Sequence, residues 1–176
     1  MNTITFQSNR LTFRTWKQED LPAFSQINAD EEVMKFFEKP LSVAESKAMI
    51  DRMNKMFEDN GYCYFAVELK STNELAGMIG LGWKTFAASF TPMVDIGWRL
   101  DKKFWNKGLA TEGATRCLEY AKEIGIPEVY SLASKKNFGS IRVMQKAGMT
   151  YQLDFIHPDL PTDNDLNPCS LYKKTL

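Results

Sequence analysis

Residues 93–112, MVDIGWRLDKKFWNKGLATE, constrain the fold more than any other stretch of the chain. A strand-like run, MVDIGWRL (93–100), passes through a short basic turn straight into a helix that opens at the small-residue pair Gly108-x-Ala110. A strand feeding a helix through a tight turn is a unit of layered α/β domains. A helix N-terminus exposes N–H groups with no intrahelical partner and carries the positive end of the macrodipole, so it suits phosphate. Gly108 lets the backbone approach an anion, Ala110 leaves the first turn unobstructed, and Lys102, Lys103 and Lys107 add positive potential. An ordinary strand-to-helix connection with solvated lysines accounts for the same spacing, and both readings stand at this point. The nucleotide patterns G-x-x-x-x-G-K-[ST] and G-x-G-x-x-G are absent, since Gly108 follows Lys107.

The remaining segments fit one α/β domain over 1–176, with no linker, repeat or charge block to divide it. RLTFRTW (10–16) alternates as a strand, and EDLPAFSQIN follows as a short helix with Pro22 in its first turn. Ser42 and Glu45 form an S-x-x-E capping box before Met49, Ile50, Met53, Met56 and Phe57 at helical spacing, and Asn60-Gly61 ends that helix. YCYFAVEL (62–69), ELAGMIGLGW (74–83) and MVDIGWRL read as a meander whose first turn is Ser71-Thr72-Asn73. A helix over 107–124, a strand at 129–134, a helix over 140–148 closed by Gly148, and the strands TYQLDFI and SLYKKTL complete the chain. The order β-α-α-β-β-β-α-β-α-β-β predicts a mixed sheet of about seven strands flanked by about four helices.

Lys plus Arg and Asp plus Glu number 22 each, so the chain lacks the basic excess of a general nucleic-acid binder. Three separated cysteines, Cys63, Cys117 and Cys169, read as reduced thiols of a cytoplasmic protein, and the lone His157 leaves no zinc motif. No apolar run approaches the roughly 18 residues of a membrane span, and the N-terminus lacks a signal-peptide core.

WRLDKKFWNKGLATEG resembles the acetyl-CoA-binding motif of the GNAT N-acetyltransferase superfamily, [QR]-x-x-G-x-[GA]. The branch it most resembles is that of the ribosomal-protein N-terminal alanine acetyltransferases and their RimJ/RimL-like relatives. NRLTFRTWKQEDLPAF, INADEEVMKFF, DIGWRL, FWNKGLATEG and NFGSIRVMQKAGM match that branch in order and spacing across nearly the whole chain. The resemblance implies a GNAT fold and acetyl-CoA as co-substrate, without a metal. It implies that the backbone of Trp98, Arg99 and Leu100 pairs with the pantetheine arm, and that Asn106, Lys107, Gly108, Leu109, Ala110 and Thr111 form the pyrophosphate loop. Trp105 stands where the pattern has Gln or Arg, which removes one side-chain contact and leaves the backbone donors.

Asn137 and Ser140 open the next helix as N-cap and N3, and the resemblance turns Asn137 toward the cofactor arm. The tyrosine that many members carry seven residues later, as acid to the departing thiolate, is Met144 here. The branch assigns that role to a serine at the place of Ser140, so Ser140 is the first catalytic candidate. Asp95 matches an acidic position near the cofactor and is a candidate base acting through water; a strand-face acid beside Arg99 is the structural alternative. The Leu100 N–H is a candidate oxyanion donor. Tyr172 resembles the tyrosine of the branch's closing strand and is the second acid to consider. His157, next to a loop, is either a wall of the acceptor site or a structural residue. Cys169 stands where many relatives have a His and is given no role.

An α-amine with a pKa near 7.8 is about a quarter neutral at pH 7.4, whereas a lysine amine is almost wholly protonated. The expected reaction is direct acetyl transfer to a protein N-terminus or small-molecule amine in a ternary complex, since Cys63 and Cys117 look buried. The branch also admits a homodimer. The rival reading is a non-catalytic acyl-CoA-binding module of the same fold.

Overall fold

The computed structural model describes residues 3–176. The elements are β1 (Ile4–Gln7), β2 (Leu11–Arg14), α1 (Leu21–Ala29), α2 (Val43–Asn60), β3 (Tyr64–Leu69), β4 (Leu75–Lys84) and β5 (Met93–Leu100). After these come α3 (Leu109–Glu123), β6 (Glu128–Ser134), α4 (Phe138–Lys146), β7 (Thr150–Phe155) and β8 (Cys169–Thr175). All strands join one sheet in the order β1-β2-β3-β4-β5-β6-β8-β7. Among the described residues only β5 and β6 run parallel; every other neighbouring pair is antiparallel.

The sheet has eight strands where the sequence suggested seven, the addition being β1. Ile4–Gln7 is only four residues long and buries Phe6 alone, so its period-2 signal is too short to read. Phe6 is fixed by its neighbours, stacking on Phe13 at 4.4 Å and on Tyr120 at 4.3 Å between ring centroids. The other boundaries fall within about two residues of the sequence reading, the usual scatter at element ends.

Local chemistry explains the helices nearest the site. Ser42 Oγ accepts from the Glu45 N–H at 3.2 Å while Glu45 accepts from the Ser42 N–H at 2.8 Å, a complete capping box at the start of α2. Asn28 on α1 donates to Ser46 on α2 at 3.0 Å, tying the two helices together on one face of the sheet. The opposite face carries α3, whose Gly113 lies against Ile79, Leu11 and Phe13. Strand β5 alternates between the two layers: Asp95, Gly97 and Arg99 face α1 and α2, while Ile96, Trp98 and Leu100 face the other way.

One discontinuity crosses the sheet. Strands β5 and β6 pair only at Asp95 and Tyr130, then diverge. Ser131 Oγ donates to the Ile96 carbonyl at 2.9 Å at the point of divergence. The four-residue remainder of β5 therefore borders an open wedge.

Candidate active site

Backbone groups alternate sides along a strand, so the bond from Asp101 N–H to the Ala76 carbonyl (2.9 Å) turns the odd residues of β5 toward β4. The even residues Ile96, Trp98 and Leu100 turn their N–H and C=O groups toward the wedge. Ser131 occupies the Ile96 carbonyl, and the Trp105 indole Nε1–H donates to the Leu100 carbonyl at 2.9 Å. Trp98 and the Leu100 N–H keep a free edge, which suits an extended ligand arm.

The loop beyond β5 is shaped for an anion. Asn106 and Gly108 both have positive φ, 59° and 76°, which folds the backbone sharply into α3. Gly108 caps α3 without a side chain, and the first-turn N–H groups of Leu109, Ala110 and Thr111 meet no protein acceptor among the described residues. A cavity of about 660 Å³ spans this helix start, Trp98 to Leu100, and the first turn of α4. The size suits a nucleotide-like cofactor.

The basic turn departs from the sequence reading. Lys102 is paired with Asp30 at 2.7 Å and Lys103 with Glu74, so neither is free to face an anion. Lys107 sits over the Phe104 ring at 5.6 Å, and its carbonyl accepts from Arg10 at 2.9 Å. The cations that do line the cavity are Lys35, Arg99, Arg142 and Lys146. Arg142 and Lys146 follow one another at i and i+4 on α4, a spacing visible in the sequence but attached to no motif.

A second cavity of about 470 Å³ continues from the first, sharing Trp98, Arg99, Asn137 and Ser140. Phe36, Phe37, Met49 and Phe86 give it an aromatic and apolar wall. Asn137 Oδ1 accepts from the Ser140 N–H at 3.1 Å, the predicted cap. Ser140 Oγ, half-buried at the junction of the cavities, has no protein partner among the described residues.

Asp95 lies in the floor of the second cavity. Its carboxylate accepts from the Tyr64 hydroxyl at 2.6 Å and stands 4.0 Å from Lys84 Nζ, and it is not paired with Arg99 as the strand spacing suggested. Arg99 is instead drawn toward α1, where Asn28 accepts from it at 2.6 Å. Burial raises the Asp95 carboxyl above the usual aspartate range, with Lys84 and Tyr64 acting against that rise. Burial, with Asp95 beside it, pushes the Tyr64 phenol up as well. No motif marks Tyr64 in the sequence. Its signal is the glycine pair opposite: a Cβ on Gly82 would lie 2.5 Å from the Tyr64 hydroxyl, and one on Gly97 3.2 Å from its ring.

His157 borders the second cavity, its ring 4.5 Å from that of Phe86 between centroids. Its Nδ1 accepts from the Asp159 N–H at 3.3 Å, and burial holds its pKa below the usual imidazole range, so the ring is neutral at physiological pH. Tyr172 is not brought to the site. It is buried on β8 beside Tyr151 and Gln145 and borders neither cavity, lying one strand further from β5 than its register partner Ser131. Cys63, Cys117 and Cys169 are buried, and burial raises all three thiols. No helix among the described residues is long and apolar enough to cross a membrane, and no cluster of metal-ligating side chains occurs among them.

The model of the acetyltransferase (GNAT) domain matches residues 10–150. The uncharacterized N-acetyltransferase YnaD of Bacillus subtilis is 31% identical over 160 residues, covering 90% of this chain and 89% of that protein. A GNAT-family acetyltransferase from Bacillus anthracis superposes with a TM-score of 0.81 at 26% identity, over 99% of this chain and 98% of that one. RimL, a ribosomal L7/L12 alpha-N-protein acetyltransferase, superposes at 0.80 with 16% identity, over 100% and 96% of the two chains, a likeness of fold. With the domain match spanning residues 10–150 and the relative aligned over nearly its whole length, the chain belongs to the GNAT superfamily of acetyl-CoA-dependent N-acetyltransferases and moves acetyl groups to amines.

Proposed function

We propose that residues 1–176 act as one catalytic domain that transfers acetyl directly to a primary amine while both substrates are bound. The observation that carries this reading is the union of two cavities at Trp98, Asn137 and Ser140, one bordered by free helix-start donors and one by an apolar wall with a carboxylate. A thioester arm entering from the first meets an amine entering from the second. Acetyl-CoA supplies the activated acyl group; everything else is done by side chains and backbone of this chain.

The N–H groups of Leu109, Ala110 and Thr111 hold the pyrophosphate, aided by the loop Trp105 to Gly108 and by Arg142 and Lys146. The free edge at Trp98 to Leu100 aligns the arm, with Asn137 across the wedge. The Leu100 N–H polarises the thioester carbonyl. Asp95 accepts a proton from the attacking amine through water, held in place by Tyr64, and His157 borders the path of the acceptor. Ser140 Oγ donates to the departing sulfur. The raised cysteine thiols support a route without an acyl-enzyme.

Initial velocities of free-thiol release, measured against acetyl-CoA at several concentrations of an active amine, test the reading. Intersecting reciprocal plots support attack in a ternary complex, and parallel lines refute it. Tight acetyl-CoA binding with no release for any polyamine, aminoglycoside, amino acid or N-terminal peptide refutes transfer itself.

A further inference from the structure

The sheet face beneath α1 and α2 buries two arginines in contrasting ways. Arg14 is 1% exposed and fully neutralised, with two bonds of 2.7 Å to Asp20 and a further bond to Glu68. Arg99 is 7% exposed and faces no carboxylate among the described residues. Its Nη1 donates to the neutral Asn28 amide oxygen at 2.6 Å and approaches the Met49 sulfur at 3.9 Å, its Cζ lies 4.1 Å from the Phe37 ring centroid, and its buried Nε, like that of Arg14, has no partner. A buried guanidinium without a counter-charge is costly to leave unmatched. Burial accordingly pulls its pKa down to about 10. Arg99 borders both cavities at their junction, where the transferred acetyl group and the accepting amine must meet.

We infer that the Arg99 guanidinium receives a carboxylate carried by the acceptor itself, so that the preferred acceptor is an α-amino carboxylate with an apolar side chain. This rests on the amine-acetylation reading above and deepens it. The charge calls for an anion, and its planar donor fork matches a carboxylate. Its place beside the reacting centre calls for that anion to sit one carbon from the amine, as in an amino acid. The wall of Phe36, Phe37, Met49 and Phe86 then takes the side chain. Neither a polyamine nor an aminoglycoside supplies the missing negative charge. The other source of an anion is a cofactor phosphate, which the same variants distinguish.

The test compares kcat/KM for L-phenylalanine and L-methionine with that for their carboxamides, which keep the amine and side chain but lose the charge. The wild type is expected to favour the free acids by roughly 10- to 100-fold, the usual worth of a charged hydrogen bond. Arg99→Gln should bring the ratio of kcat/KM for acid over amide to within about threefold of unity, whatever the absolute rates, and Arg99→Lys should restore part of the preference. Turnover of the amides by the variants reports that the fold survives; if Arg99→Gln is inactive on everything, Arg99→Lys alone must show the intermediate preference. Equal use of acids and amides by the wild type overturns the inference. So does a loss of acetyl-CoA affinity, measured by calorimetry, with the acid preference intact, because the anion would then be a phosphate. Release with polyamines or N-terminal peptides but none with amino acids also overturns it, yet leaves amine acetylation standing; release with no amine removes both.

Discussion

Ser140→Ala separates a proton donor from a structural helix residue, because the structure lets the two costs be worked apart. The cap at the start of α4 is made by the Asn137 side chain and the Ser140 backbone N–H at 3.1 Å, and alanine keeps that N–H. Ser140 Oγ has no protein partner among the described residues, so its removal strands no buried group. Alanine is the better helix former by up to about 0.5 kcal/mol. For a chain of this size about 1 kcal/mol corresponds to roughly 2–4 °C, so the melting temperature should stay level or rise by about 1–2 °C. A positioned proton donor contributes about 10²–10⁴ in rate. The variant should therefore lose kcat by at least about 10² while its acetyl-CoA affinity, measured by calorimetry, changes by less than about threefold. Solvent should restore part of the lost rate when the leaving thiol is made more acidic, as in an aryl thioester. A kcat within about threefold of wild type would refute the assignment and leave water as the acid.

Three further outcomes follow from the same geometry. Gly108→Asp places a charged side chain at a φ of 76° beside the free donors of α3; calorimetry should show acetyl-CoA binding lost, with native circular dichroism and a stability loss of about 1–2 kcal/mol from the left-handed conformation. Lys146→Ala and Arg142→Ala should each weaken acetyl-CoA binding several-fold and flatten its salt dependence, whereas Lys102→Ala and Lys103→Ala, already paired with Asp30 and Glu74, should leave it within about twofold. Burial raises the Asp95 carboxyl, so the folded state holds its proton to higher pH than the unfolded chain does, and stability is lost as pH rises from the ordinary aspartate value of about 3.9 through the folded one. Asp95→Asn keeps an acceptor for Tyr64 and should raise the melting temperature by about 2–4 °C for each kcal/mol relieved near pH 7.5, with the gain vanishing below about pH 4, while kcat falls about 10-fold or more.

The parts of this molecule governed by local rules were legible in the chain itself. The capping box of Ser42 and Glu45, the cap of Asn137, the turn at Ser71–Asn73 and the opening of α3 at Gly108 depend on neighbours within a few residues, and each is where its motif puts it. The parts that escaped depend on partners far away in sequence. Lys102 finds Asp30 and Lys103 finds Glu74, which removes from the phosphate loop two charges that the composition of the turn offers. Asp95 turned out to answer to Tyr64, 31 positions earlier, because glycines at 82 and 97 clear a path for the ring. Tyr172 has the place of a site residue in the closing strand, yet it packs beside Tyr151 and Gln145, outside both cavities. Period-2 patterning fixes which side chains share a face, but not which face borders a cavity until the neighbouring strands are in register.

The wedge between β5 and β6 also divides the sheet mechanically. Five strands lie on one side of it and three on the other, stitched along the backbone by the single pair Asp95 and Tyr130 and by the Ser131 hydroxyl. A seam with so few cross-links is where partial opening costs least, so slow amide exchange in the two plates should be uncoupled before either plate melts. A ligand that hydrogen-bonds to both banks acts as a rivet. At a concentration about 100 times its dissociation constant it adds about 2.7 kcal/mol to the closed form. The protein would then be a more cooperative folding unit with its co-substrate than without it, and the cellular supply of acetyl-CoA would govern its lifetime as well as its turnover.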